Sequence, residues 1–413
     1  MSAAGSPRTP ERAGRSQGPE GASASAEDGR PLELTKEAAS VGAHNRPLSI
    51  VHTENSCGWG GQEIRILTEA RGFLDRGHRV TLVAPGEAPI ADAGERQGVP
   101  VVRLDIRRKR PANLVALRRW LAERHAQIDV LNTHSSTDSW LGAIACATMR
   151  GAPPIVRTRH VSTTIRNRPT TRWLYTRATA HIVTTGEALR IQLARDNGVP
   201  LDRMTSIPTG IDLARFVPGD AAAARARLGL PPHPTIGIVA TLRDWKGHDM
   251  LFEVLARDRA AWSAWNVVVV GDGPYRDRLD AQLAALDLAD RVRFAGQQED
   301  VVPWLQALDL FALPSWGEEG VPQAIMQAMA CGIPVVSTTV GAIREAVEDG
   351  VTGLIVPPRA VTALGAALAR LRGDASMRER FASAGRERAT RNFGLDRMLD
   401  RMEAVFRAVA ETR

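Results

Sequence analysis

The chain has 413 residues, 44% of them hydrophobic, which is enough to bury large cores and, at this length, to form about two domains. Its formal net charge is +7, carried almost wholly by arginine because Lys36, Lys109 and Lys246 are the only lysines, and such a balance suits nucleic acid, an anionic membrane face or an anionic substrate. No zinc-finger spacing or aromatic-rich RNA motif occurs, which argues against dedicated nucleic-acid binding, and no apolar run reaches the roughly 18 residues of a membrane span.

Residues 1–46 are rich in Ser, Ala, Gly, Glu and Arg, with no aromatic before Trp59, and are expected to form a disordered tail. They lack the apolar core of a signal peptide, so export is not expected. Cys57, Cys146 and Cys331 are widely spaced and make neither a disulfide framework nor a metal site, which fits reduced thiols in cytoplasm.

From Pro47 short apolar strands alternate with amphipathic helices. Strands are expected at 48–53, 79–84, 99–104, 130–133, 155–159 and 180–184. Helices are expected at 62–76, with Ile64, Leu67 and Leu74 near one face, and at 187–197. A proline-rich change of composition at 207–234 reads as a hinge. A second unit then restarts with strands at 235–241, 266–270, 292–295, 310–313 and 334–337. Helices are expected from about His248, from about Tyr275 and at 322–331, and the chain ends in helices. The fold class is therefore α/β, two doubly wound units facing a cleft, with ligands at the carboxyl ends of the strands. The expected domains are 47–207, 208–390 and a C-terminal helix, 391–413, that can return to the first domain.

The second unit carries most of the chemistry. Glu319 sits in a Gly-containing loop that leads into a helix, and Gln327 lies about two turns further on, on nearly the same face. A carboxylate followed by helix-start N–H groups suits a polyol joined to a phosphate. Arg243 and Lys246 follow a strand, where two cations can clamp a diphosphate. Gly271-Asp272-Gly273-Pro274 follows another strand and makes either a ligand approach or a tight turn. A nucleobase could lie near Phe294. In the first unit, Gly60, Gly61 and Glu63 open a helix after the first strand. His134 and His160 end strands and are expected to point into the cleft, and Gly210 and Asp212 could line it. Arg107–Arg110 and the run Arg157, Arg159, Arg166, Arg168 and Arg172 could meet an anionic acceptor or membrane. No metal site is expected.

These motifs together resemble the retaining nucleotide-sugar glycosyltransferases of family 4, with their GT-B fold of two Rossmann-like domains. The family's E-x7-E motif matches Glu319 to Gln327, with glutamine at the second glutamate; its amide keeps an acceptor oxygen for a ribose hydroxyl. The resemblance implies that Glu319 contacts the donor sugar, that Gly320, Val321, Pro322 and Gln323 lie beside the diphosphate, and that His160 lies near the anomeric carbon. Gly60, Gly61 and Glu63 match the G-G-x-E motif, Gly271–Pro274 the G-D-G-P loop, and Gly210 with Asp212 the N-G-x-D hinge. The family's diphosphate arginine falls at Thr241, so Arg243 is expected to substitute, with Lys246 on the family lysine.

The expected activity is metal-independent transfer of a sugar, with retention, from a nucleotide diphosphate donor to a glycan or lipid-linked acceptor. The donor is a co-substrate, and no cofactor is expected. The expected setting is lipopolysaccharide or other cell-surface polysaccharide synthesis, in the cytoplasm or at the inner membrane face. An epimerase of the same fold and a non-catalytic sugar-nucleotide-binding subunit are the alternatives.

Overall fold

The computed structural model describes residues 46–317 and 319–412. The expected disordered tail lies outside them, apart from Arg46. The first sheet has seven parallel strands: β1 (Ser49–Thr53), β2 (Arg79–Ala84), β3 (Val101–Arg103), β4 (Val130–Thr133), β5 (Ile155–Arg159), β6 (His181–Thr184) and β7 (Met204–Ser206). Their order is β3-β2-β1-β4-β5-β6-β7. The second sheet has six: β8 (Thr235–Val239), β9 (Asn266–Val270), β10 (Val292–Gly296), β11 (Leu310–Leu313), β12 (Val335–Thr338) and β13 (Gly353–Val356). Their order, β10-β9-β8-β11-β12-β13, repeats that of the first sheet without its last strand.

Helices cover both faces of each sheet, so central strands read as continuous apolar runs, as in Val267–Val270. The strand order reverses between β1 and β4 and again between β8 and β11, which opens a crevice at the carboxyl ends of both sheets.

Two strands correct the expected element list. β7 is a short strand just before the stretch taken as hinge, and β13 adds an edge beyond β12. The helix Gly61–Asp75 buries Leu67 and packs Leu74 on the core as expected, but not Ile64. Ile64 is 38% exposed, whereas Arg65 and Glu69 are fully buried as an ion pair at 3.6 Å. Arg65 also donates to the Ile207 carbonyl (2.7 Å). Hydropathy places such charges outside; here each neutralises the other, and removing either one would strand a buried charge at about 3–5 kcal/mol.

The helix Leu395–Ala410 lays Met398, Leu399, Met402 and Phe406 into the core of the first sheet beside Ile66 and Phe73. Arg76 ties it by bonds to Asp400 (2.8 Å) and Asp396 (3.1 Å). The chain thus returns to the first domain after building the second. Gly210 and Asp212 belong to this crossing rather than to the cleft. Gly210 abuts Leu395 and Met398, and Ile211 bridges Gly394. The Asp212 carboxylate accepts from the N–H groups of Ala214 (3.0 Å) and Arg215 (3.1 Å), closing its own turn.

Candidate active site

One half of the candidate site, expected to hold the donor, is built by the loops after β8, β9 and β11. Gly271 has φ +139°, and a Cβ there would overlap the Ala240 carbonyl, so only glycine lets the two loops touch. The contact is locked by Leu242 N–H to the Asp272 carbonyl (3.0 Å) and Tyr275 N–H to the Leu242 carbonyl (3.2 Å). This shapes the turn that delivers Lys246. Its Nζ reaches Glu319 Oε1 at 2.6 Å, and Ser315 Oγ donates to the same oxygen at 2.7 Å. Glu319 is only 6% exposed. A nearly buried carboxylate bonded twice through one oxygen is held in one orientation. The helix Gln323–Ala330 starts just beyond, where its first-turn N–H groups lack acceptors inside the helix.

The facing half meets this loop directly. A Cβ on Gly320 would overlap the Thr185 hydroxyl and lie 2.8 Å from the His160 carbonyl. Thr185 Oγ1 donates to that same carbonyl (3.0 Å), and Val321 N–H donates to the Thr185 carbonyl (3.3 Å). Gln323 reaches across to the Gly61 carbonyl through its side-chain amide. Glu63 is buried beside Gly60, where a Cβ would lie 3.7 Å from Glu63 Oε2 and 3.9 Å from Thr241 Oγ1. On the rim, the Glu345 carboxylate accepts from Glu187 N–H and Ala188 N–H, both at 2.8 Å, at the start of the helix Glu187–Asn197. The Glu319–Gly320 loop, the Gly60–Gly61 turn and the His160 segment are therefore brought together at one place.

Residues 59–215 match the domain described as Glycosyltransferase Family 4, and residues 233–374 match Glycosyl transferases group 1. D-inositol 3-phosphate glycosyltransferase from Nocardia farcinica is 31% identical over 390 residues, spanning 84% of this chain and 83% of that protein. The chain belongs to glycosyltransferase family 4. The enzyme of the same description from Salinispora tropica is 29% identical over 93% of this chain and 88% of its own length. Among solved structures, Anabaena HepE in complex with UDP and glucose superposes with a TM-score of 0.78 at 21% identity. That match covers 87% of this chain and all of the other. WaaG, a glycosyltransferase involved in lipopolysaccharide biosynthesis, gives 0.67 at 15% identity, covering 86% of this chain and 99% of the other. Both likenesses establish the GT-B fold.

In this glycosyltransferase the candidate residues fall into contacts of several kinds. Lys246 and Glu319 are joined, but Arg243 is exposed and lies over the Trp245 ring (5.7 Å), so the two cations do not form one clamp in this state. Val321 commits its N–H to Thr185 and does not offer it to a diphosphate; Pro322 has none. Gln327 is half-buried on the helix Gln323–Ala330. Asp272 closes its own loop by accepting from Gly273 N–H (2.7 Å). Phe294 is covered by the Arg276 guanidinium at 3.8 Å, so a base stacking on that ring would displace or sandwich Arg276.

His134, expected in the cleft, is 4% exposed and stands behind His160. Its Nδ1 lies 3.0 Å from His160 Nε2, and its Nε2 lies 3.0 Å from His52 Nδ1. His160 itself is half-buried at the cleft wall. Burial holds all three rings far below the ordinary histidine range, His52 at about 3, with the nearby Arg65 charge acting in the same direction.

Glu54, directly after β1, escaped the sequence reading. It accepts from Ser56 N–H and Ser135 Oγ, both at 2.7 Å, and meets the Gln62 amide. Burial, then the neighbouring Asp138 charge, pushes its carboxyl up to about 8. An acidic residue at the carboxyl end of the first strand was the only signal that could have marked it.

Proposed function

We propose that this glycosyltransferase moves a sugar from a nucleoside diphosphate donor, with retention at the anomeric carbon, to an anionic glycan or lipid-linked acceptor held by the first domain. The observation that carries the reading is the Lys246–Glu319 pair set against the His160 segment through Gly320. On donor binding, the diphosphate draws Lys246 and the start of the helix Gln323–Ala330, and Glu319 turns from Lys246 to sugar hydroxyls. The bond from C1 to the phosphate oxygen breaks as the acceptor oxygen bonds C1 on the same face, and the acceptor proton passes to the departing phosphate oxygen. Lys246 and the helix dipole stabilise the charge on that leaving group, a role a metal fills elsewhere. The closed cleft keeps water from the donor.

An anionic acceptor is supported by Arg157 on β5. It is 4% exposed, its Nε and Nη1 lack hydrogen-bond acceptors, and its guanidinium lies 4.4 Å over the Tyr175 ring. Lys109 lies nearby over Trp140 (5.5 Å). Two cations flanked by aromatic faces suit an acidic sugar or a sugar phosphate. That chemistry agrees with relatives named for inositol 3-phosphate. It also agrees with a cell-surface glycan such as lipopolysaccharide. No helix among the described residues is long and apolar enough to cross a membrane, so a lipid-linked acceptor would be met from the surface.

A thermal-shift screen across UDP-, GDP- and ADP-sugars tests the donor class. A binder at about 100 times its Kd stabilises the fold by about 2.7 kcal/mol. No shift with any nucleotide sugar would overturn the reading. Flotation with anionic vesicles at low salt tests the membrane setting; absence of binding would remove it.

A further inference from the structure

We propose that His134 and His52 are positioning residues: linked in line behind His160, they decide which ring nitrogen of His160 carries its proton, and so present His160 Nδ1 to the cleft as a hydrogen-bond acceptor for a substrate hydroxyl. The inference rests on His160 lining the cleft of this glycosyltransferase, but its test needs no turnover.

Both ring-to-ring contacts are 3.0 Å between nitrogens. The rings stack with centroids 5.2 Å apart and interplanar angles of 22° and 33°. Buried beside Arg65 and Arg159, the rings are neutral, which leaves one proton on each. A neutral imidazole donates from one nitrogen and accepts at the other. The two contacts therefore allow only two proton orders, one running outward along the chain and one inward.

Asn132 on β4 chooses between them. Its Oδ1 accepts from Thr158 Oγ1 (3.0 Å), and its Nδ2 faces Glu69 Oε1 (3.4 Å) and His52 Nδ1 (3.5 Å). His52 Nδ1 thus meets a donor and acts as an acceptor. It accepts from His134 Nε2–H, His134 Nδ1 accepts from His160 Nε2–H, and His160 Nδ1 is left with a bare lone pair. The reverse order would aim two N–H groups, from His52 and Asn132, at each other. Either order leaves His52 Nε2 buried and unpartnered, so that atom does not decide. His160 Nδ1 is the outer end of the chain, on a half-buried ring whose own backbone carbonyl meets Gly320. A histidine's free nitrogen is set by the bond its other nitrogen makes, and here the setting comes from two residues further in.

The test is the nitrogen chemical shifts of the full chain labelled with 15N-histidine, His160 being assigned by the signals lost in His160→Gln. The expected spectrum shows a pyridine-type Nδ1 and a pyrrole-type Nε2 on His160. Asn132→Asp, the same shape with an acceptor in place of the donor, is expected to reverse the order and make Nδ1 pyrrole-type. His134→Phe is expected to release it to a mixture of tautomers. In both variants kcat should fall tenfold or more, roughly the effect of one lost transition-state bond, with the donor KM within about twofold. Circular dichroism screens for folding, and the wild-type spectrum decides alone if neither variant folds. A pyrrole-type Nδ1 in the wild type, or an unchanged His160 tautomer in a folded variant, would overturn the proposal.

Discussion

Replacing Gly320 with alanine probes how closely the two halves of the cleft must meet. The added Cβ would lie 2.8 Å from the His160 carbonyl and overlap the Thr185 hydroxyl. The hydroxyl can rotate away, at the loss of its 3.0 Å bond to that carbonyl. The carbonyl is backbone at the end of β5 and cannot. To reach an ordinary 3.4 Å contact, the Gly320 loop must withdraw by at least about 0.6 Å, and Glu319 moves with it. A displacement of about 1 Å at a reacting centre costs on the order of a hundredfold in rate, so kcat should fall roughly ten- to a hundredfold. Overpacking of this kind should also lower stability by about 1–3 kcal/mol. The assay is steady-state transfer with saturating donor, alongside a urea unfolding midpoint. Thr185→Ser, which keeps the hydroxyl, should stay near wild type. A Gly320→Ala enzyme with kcat within threefold of wild type would show that the cleft does not work at this closeness.

Lys246→Ala should lower kcat/KM by roughly a hundred- to a thousandfold, the scale of losing one preorganised charge at a leaving group, and isothermal titration should show weakened nucleoside diphosphate binding. Glu345→Ala removes the carboxylate that bonds two N–H groups of the opposite domain. Loss of such a cap is worth about 0.5–2 kcal/mol, and small-angle scattering of the ligand-free enzyme should show a larger radius of gyration; an unchanged radius would deny Glu345 a part in closure. Glu54→Gln tests the raised carboxyl. Because the folded pKa is about 8 against an ordinary 4.5, the folded state holds this proton more tightly. Wild-type stability should therefore decline as pH rises from about 4.5 to 8 and level off above. The variant should lose less over that window in urea midpoints, and parallel curves would refute the assignment.

Much of this architecture can be read from residue patterns because both sheets are parallel and covered on both faces. Asn266–Val270 and Leu310–Leu313 stand out as apolar runs and form β9 and β11 with those bounds. β7 escapes because its three residues, Met204–Ser206, lie just before the hinge and gain strand geometry only by pairing with β6. The buried face of the first helix escapes because Arg65 and Glu69 cancel each other, a fact of pairing and not of hydropathy. At the site, local motifs locate Glu319, Lys246 and His160 on their loops. Their mutual contacts, the place of His134 behind His160, and the parts played by Glu345, Arg276 and Glu54 depend on loops brought together from distant parts of the chain.

The anomeric configuration of the product tests the central reading most directly. Proton NMR of the transfer reaction, with the donor found by thermal shift and an acidic or phosphorylated sugar acceptor, reports the coupling at the new anomeric centre. The account predicts the configuration of the donor in the product, and no product from Glu319→Ala. An inverted product, or undiminished transfer by Glu319→Ala, would contradict it.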